Sequence, residues 1–201
     1  AQTADVHVPV AVSPAGLPLG DLLAMDLYYA CLRALDGTVW CWGANTHGES
    51  GVVTTGADLP PSQILHEDGS PLSGVVDLCT SGPSVARTCA VTDEGSAWCW
   101  GGNGGGLGSA TFTDPSSHTP VRVTDSGGAP LTDVVAIACP TGGTTAPHGC
   151  VVQSDGTARC WGPSTYGETG SGVLSSTLDG AKAVTQAFNE PLEAMVSLSA
   201  R

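Results

Sequence analysis

Basic side chains are scarce in this sequence. Six Lys and Arg stand against 19 Asp and Glu, a formal net charge of −13 over 201 residues. Phosphate backbones and anionic lipid surfaces recruit proteins through clustered Lys and Arg, so this balance argues against nucleic acid or an anionic membrane as partner. Long apolar runs are missing too; none nears the roughly 20 residues of a membrane-spanning helix. The N-terminal AQTADVHV shows no basic stretch followed by an apolar one. Either no secretory leader existed or one was removed, and the cysteines discussed below favour removal.

Catalytic signatures are equally thin. There is no G-x-S-x-G elbow and no phosphate-binding P-loop. The five histidines, His7, His47, His66, His118 and His148, share no register and form no H-x-x-x-H pair. GGNGGGLG (101–108) mimics the glycine spacing of a dinucleotide motif, but no helix-forming segment follows it to bind a phosphate, so it reads as an inter-strand loop. The sequence therefore nominates no catalytic residue, cofactor site, metal site or small-molecule substrate.

Only 12% of the residues are charged, yet 41% are hydrophobic and 28 are Gly. Disorder goes with low hydrophobicity, so this is the composition of a loop-rich, strand-rich globular chain. Its organisation comes from repetition. Cys31–Gly43 reads CLRALDGTVWCWG, Cys89–Gly101 reads CAVTDEGSAWCWG, and Cys150–Gly162 reads CVVQSDGTARCWG. A phrase precedes each: PLGDLL from Pro18, PLSGVV from Pro71 and PLTDVV from Pro130, with a fourth copy, PLEAMV, from Pro191. Another follows each: NTHGESG from Asn45, NGGGLG from Asn103 and STYGETG from Ser164. A period of about 60 residues is long for a solenoid unit and suits a multi-stranded blade.

Each 13-residue phrase reads as a β-hairpin whose three-residue loop ends in Gly37, Gly95 or Gly156, a common connection with a left-handed glycine and a bulge. That register sets Cys31 opposite Cys41, Cys89 opposite Cys99 and Cys150 opposite Cys160, close enough for cross-strand disulfides. Free buried thiols and other pairings are the alternatives. Zinc is disfavoured, because the ten-residue spacing is no C-x₂-C pattern and no His keeps a fixed offset. Cys79 and Cys139 lie on the strand before their hairpins; they either pair with each other between blades or compete for Cys89 and Cys150. Trp40, Trp42, Trp98, Trp100 and Trp161 fall on the opposite strand face from the cysteines and read as packing between blades. The glycine after each second tryptophan reads as a bend or an approach to a neighbouring blade. The acidic tips Asp36, Asp93, Glu94 and Asp155 read as turn formers, since single tips do not converge enough oxygens for calcium.

These phrases, in this order and over nearly the whole chain, resemble the regulator of chromosome condensation repeat, in particular its cysteine-containing variety in secreted bacterial proteins. The resemblance implies a β-propeller, usually seven-bladed, each blade a four-stranded antiparallel sheet. The family's Gly-Gln-Leu-Gly departs here to Gly48-Glu49-Ser50-Gly51, Gly106-Leu107-Gly108 and Gly167-Glu168-Thr169-Gly170. The expected division is the end of a repeat at 1–17, full repeats at 18–70, 71–129 and 130–190, and the start of another at 191–201. This predicts three complete blades and two partial ones, in a segment or subunit of a closed ring. The expected function is a secreted, periplasmic or surface-exposed non-catalytic scaffold that binds a protein or self-associates. A structural subunit of an extracellular assembly is the alternative. Nucleotide exchange on a small GTPase, the activity of the family's eukaryotic founders, ranks last, because no residue here matches an exchange site.

Overall fold

The computed structural model describes residues 17–56, 59–82, 85–104, 106–140, 148–174 and 180–185. Twelve strands and no helix occur among them. They form three four-stranded antiparallel sheets, each from four consecutive strands. Blade 1 comprises β1 (Gly20–Met25), β2 (Tyr29–Ala34), β3 (Val39–Gly43) and β4 (Leu59–Gln63). Blade 2 comprises β5 (Val75–Ser81), β6 (Arg87–Thr92), β7 (Ala97–Gly102) and β8 (Ser116–Arg122). Blade 3 comprises β9 (Val134–Ala138), β10 (Gly149–Gln153), β11 (Ala158–Trp161) and β12 (Lys182–Ala183). The partial repeats expected at the two ends, with Val6–His7–Val8 and Met195–Leu198, lie outside the described residues.

The central hairpins have one register. Cys31 faces Cys41, Cys89 faces Cys99, and Cys150 faces Cys160. Gly37, Gly95 and Gly156 close the turns with φ of 79°, 75° and 87°. Gly37 and Gly95 are needed for a second reason. Their carbonyls accept Val75 N and Val134 N of the next blade, and a Cβ on Gly95 would stand 2.8 Å from Asp133 N. The glycine after the second tryptophan serves its own blade, contrary to a neighbour-blade role. A Cβ on Gly43 or Gly101 would meet Tyr28 O or Ala86 O at 2.5 Å, where the first strand turns into the second.

The first repeat is offset from the sequence alignment. Leu35 N bonds Leu19 O where Asp93 N bonds Gly74 O and Ser154 N bonds Asp133 O. Leu19 therefore matches Gly74 and Asp133, and PLGDLL sits two residues out of step with PLSGVV and PLTDVV. Half-buried Leu17 takes the place of buried Leu72 and Leu131, while Leu19 is 81% exposed. The inner strands also depart from being buried on both faces. A register shift near the start of each first strand leaves Val76 and Val135 unpaired and 44% and 51% exposed.

The core lies between blades rather than within them. One cluster joins Cys31, Cys41 and Val39 of blade 1 to Val75, Leu78 and Trp100 of blade 2. The other joins Cys89, Cys99 and Val91 of blade 2 to Val134, Val151 and Trp161 of blade 3. At both junctions, strand alternation thus sets a cystine face of the earlier blade against a tryptophan face of the later one.

Candidate functional site

All eight cysteines are bonded. Cys31–Cys41, Cys89–Cys99 and Cys150–Cys160 cross-link their hairpins at Cα–Cα distances of 4.1 Å. Cys79 pairs with Cys139, 60 residues on, and so ties the inner strand of blade 2 to the end of that of blade 3. With no free thiol left, cysteine nucleophilic catalysis is closed to this form of the protein. Among the described residues no group of three or more His, Cys, Asp or Glu could hold a metal ion.

The five tryptophans divide. Trp100 and Trp161 are fully buried, whereas Trp40, Trp42 and Trp98 are only half-buried, so the packing role does not cover all five equally. The buried indoles reach backward: Trp100 Nε1 donates to Glu49 O of blade 1 (3.0 Å), and Trp161 Nε1 to Gly106 O of blade 2 (2.7 Å). Trp42 holds the same register in blade 1 but meets no such loop among the described residues. The accepting loops are built by their own repeat residues. Asn45 Nδ2 donates to Val52 O and Thr54 O, and Asn103 Nδ2 to Phe112 O and Asp114 O. The buried Glu49 carboxylate accepts from Thr46 N and His47 N.

A second ladder runs through the residue two before each first cysteine. Tyr29 OH donates to Arg87 O, and the Arg87 guanidinium donates to His148 O and Gly106 O. Burial raises the Tyr29 phenol above its ordinary range and lowers Arg87 to about 9, which leaves it cationic at neutral pH. His148 is held below the usual imidazole value, first by burial and then by the charge of Arg87. Sequence reasoning missed this ladder. Its signal was Arg87 itself, one of six basic residues, standing two before Cys89 at the head of a strand with no other charged residue.

A hollow of about 410 Å³ opens where blade 1 leads into blade 2. It lies between His66, the hairpin tip Asp93–Ser96, Trp98 and Arg122. His66 meets the Trp98 ring edge-on at 4.7 Å, and the Arg122 guanidinium carbon stands 5.6 Å from the Trp98 ring centroid. Arg122 Nη2 donates to Ser96 Oγ at 2.8 Å. Sequence reasoning also left Arg122 unmarked, because it lies outside the three phrases found in every unit. The tip itself differs from its counterparts. Asp36 and Asp155 accept from Thr38 N and Thr157 N in tight turns, whereas the side chains of Asp93 and Glu94 make no hydrogen bond among the described residues.

Three successive four-stranded sheets that pack face to face, each carrying the same hairpin, are blades of a β-propeller. Their repeats resemble the regulator of chromosome condensation type. The chain is 28% identical over 179 residues to the Arabidopsis thaliana ultraviolet-B receptor UVR8, covering 88% of this chain and 37% of the relative. Among solved structures, Prp20p of Saccharomyces cerevisiae aligns with a TM-score of 0.66 at 14% identity, over 86% of this chain and 40% of that one. Human WBSCR16 aligns with a TM-score of 0.61 at 16% identity, over 83% and 38%. These last two likenesses are of fold. No protein-family model matches. The chain spans roughly two fifths of the length of each of these relatives.

Proposed function

We propose that this chain is part of a non-catalytic β-propeller scaffold that binds a protein partner through the rim where blades 1 and 2 meet, in an oxidising compartment outside the cytoplasm. The observation that carries the binding site is the hollow beside Arg122, where, among the described residues, His66 and Arg122 depart from their counterparts in the next repeat and meet Trp98. Protein binding is supported by the relatives: Prp20p binds Gsp1p and histones, and a second structure of it is bound to Kap60. A partner of histone type would also suit the acidity of this chain. The compartment is supported by four disulfides in a chain with no thiol to spare. We further assign the later units as 71–129 and 130–190; the first ends at 70, and its two-residue offset moves its start ahead of Pro18.

A photo-cross-linker placed at Glu94, and in a second sample at Val173, tests the reading with the intact protein in its natural medium. A discrete protein adduct at Glu94 and none at Val173 is expected. Equal labelling at both positions, or free thiols found by non-reducing peptide mapping of the natural protein, would overturn it.

A structural-subunit reading has its own observation. Leu23, Met25, Leu27 and Tyr28 on and beside β1 are 51–76% exposed, and Trp42 beside them is half-buried. Such a patch is suited to cover by a further blade or another subunit.

A further inference from the structure

We propose that the hollow between blades 1 and 2 is a peptide subsite that takes a carboxylate side chain neighbouring a basic one; the assignment rests on the protein-binding reading above. Arg122 is a positioned cation. Its guanidinium is fixed on one side by the Trp98 ring and at Nη2 by Ser96 Oγ. Among the described residues no carboxylate lies within ion-pair distance of it, and its Nε–H is buried without an acceptor. A guanidinium held in place at the wall of a hollow, with no carboxylate of its own among the described residues, is matched by a carboxylate from a ligand.

A purely anionic ligand does not fit. The chain carries a net charge of −13, and the exposed carboxylates of Asp93 and Glu94 stand at the same hollow. Those two are uncommitted, unlike the turn-forming Asp36 and Asp155. A lysine or arginine beside the ligand's carboxylate meets them and removes the long-range repulsion. The space favours an extended segment over a free amino acid. The hollow shares Gly74 and Asp93 with a second one of about 280 Å³ that runs along Arg33 and Val76. Nor is the arrangement a by-product of the repeat. At the junction of blades 2 and 3 the places of His66, Trp98 and Arg122 are held by Asp125, Arg159 and Ala183. Arg159 there is satisfied by Gln153 Oε1 at 2.7 Å.

The test is nitrogen-15 NMR on the disulfide-intact chain, following the Trp98 indole and Arg122 Nε–H signals. The probe is a blocked tetrapeptide, glutamate followed by lysine between two glycines. Its controls replace glutamate or lysine with glutamine. Both signals should shift saturably with the first peptide, at millimolar concentration, and each control should bind at least about 5-fold more weakly. Arg122→Gln should weaken binding about 10-fold or more, and Arg122→Lys, which keeps the charge but loses Nε, about 3-fold or more. Glu94→Gln, at an exposed tip, should reduce the preference for the lysine. No saturable shift in the natural sequence, equal binding of the controls, or undiminished binding by both Arg122 variants would overturn the subsite. Should cross-linking at Glu94 persist while no peptide binds, the subsite falls and the scaffold stands. Should the peptide bind as expected with no cross-linked partner, the scaffold reading falls alone.

Discussion

The junction between blades 2 and 3 is closed by a covalent bond, whereas that between blades 1 and 2 is held without one. Both share the same non-covalent pattern: an indole donating to the preceding loop, a side chain donating to a backbone carbonyl of the next blade, and a hairpin carbonyl accepting the next blade's first-strand amide. What differs is what was added. Blade 3 gains Cys79–Cys139 and a hydrogen bond of 3.0 Å donated by Ile137 N to Asp77 Oδ2. Blade 1 instead extends Arg33, whose guanidinium donates to Val75 O and Val76 O of blade 2 while pairing with the exposed Asp21. In matching register, blade 1 has Ala24 where blade 2 has Cys79. The lesson is that the repeated bonds seat one blade on the next at both junctions, and the staple is a local addition at one of them.

The sharpest way to break the comparison is to remove the staple. Joining residues 60 apart restricts the unfolded chain more than joining residues ten apart, so Cys79→Ala/Cys139→Ala should cost about 4 kcal/mol and loss of one hairpin bridge about 3. Denaturant unfolding of each double variant measures both. Equal losses would show that the 60-residue link does not act through chain restriction.

The hairpins, their turns, the cystine register and the blade class were legible in the sequence because each rests on local rules repeated three times. A turn glycine and a period of two fix which residues face each other whatever surrounds them. The partner of Cys79 was not legible, since that pairing depends on how one sheet lies on the next. The offset of the first repeat was hidden for a related reason: Leu17 and Leu19 both follow a plausible phrase boundary, and only the bond from Leu35 N to Leu19 O selects between them. The candidate site was illegible in a third way. Arg122 and His66 come from two repeats and are unlike their counterparts, which a search for repetition passes over; Trp98 repeats Trp40 and was marked for packing alone.

The tryptophans sharpen the comparison at smaller scale. Trp100→Phe leaves Glu49 O without its indole donor and should cost about 1–3 kcal/mol, whereas Trp161→Phe should cost about 1, because Gly106 O keeps its bond from Arg87. Trp42→Phe breaks no bond among the described residues and should cost less than about 0.5 kcal/mol in the isolated chain. Thermal or denaturant unfolding of the three variants gives the order. If Trp42→Phe costs as much as Trp100→Phe, the division between backward-bonded and open indoles is wrong.

The smallest expected effect is a pH dependence at the far end of the side-chain ladder. Burial and the Arg87 charge lower the His148 imidazole below 6.5 in the folded chain, against a weaker opposing pull from Glu168. The unfolded chain takes up its proton near pH 6.5, so between that value and the folded one it binds more protons than the native state does. Stability should therefore be complete above pH 6.5 and decline as pH falls below it. The turn carboxylates Asp36, Asp68, Asp155 and Glu168 are shifted downward, so their contributions are lost only in the more acidic range of carboxyl groups. Unfolding free energies at pH 7 and pH 5.5 should thus differ in the natural sequence, and His148→Asn should narrow the gap while leaving the Arg87 bond to the residue-148 carbonyl in place. An undiminished gap in that variant would assign the pH dependence to other groups and leave His148 as a backbone acceptor alone.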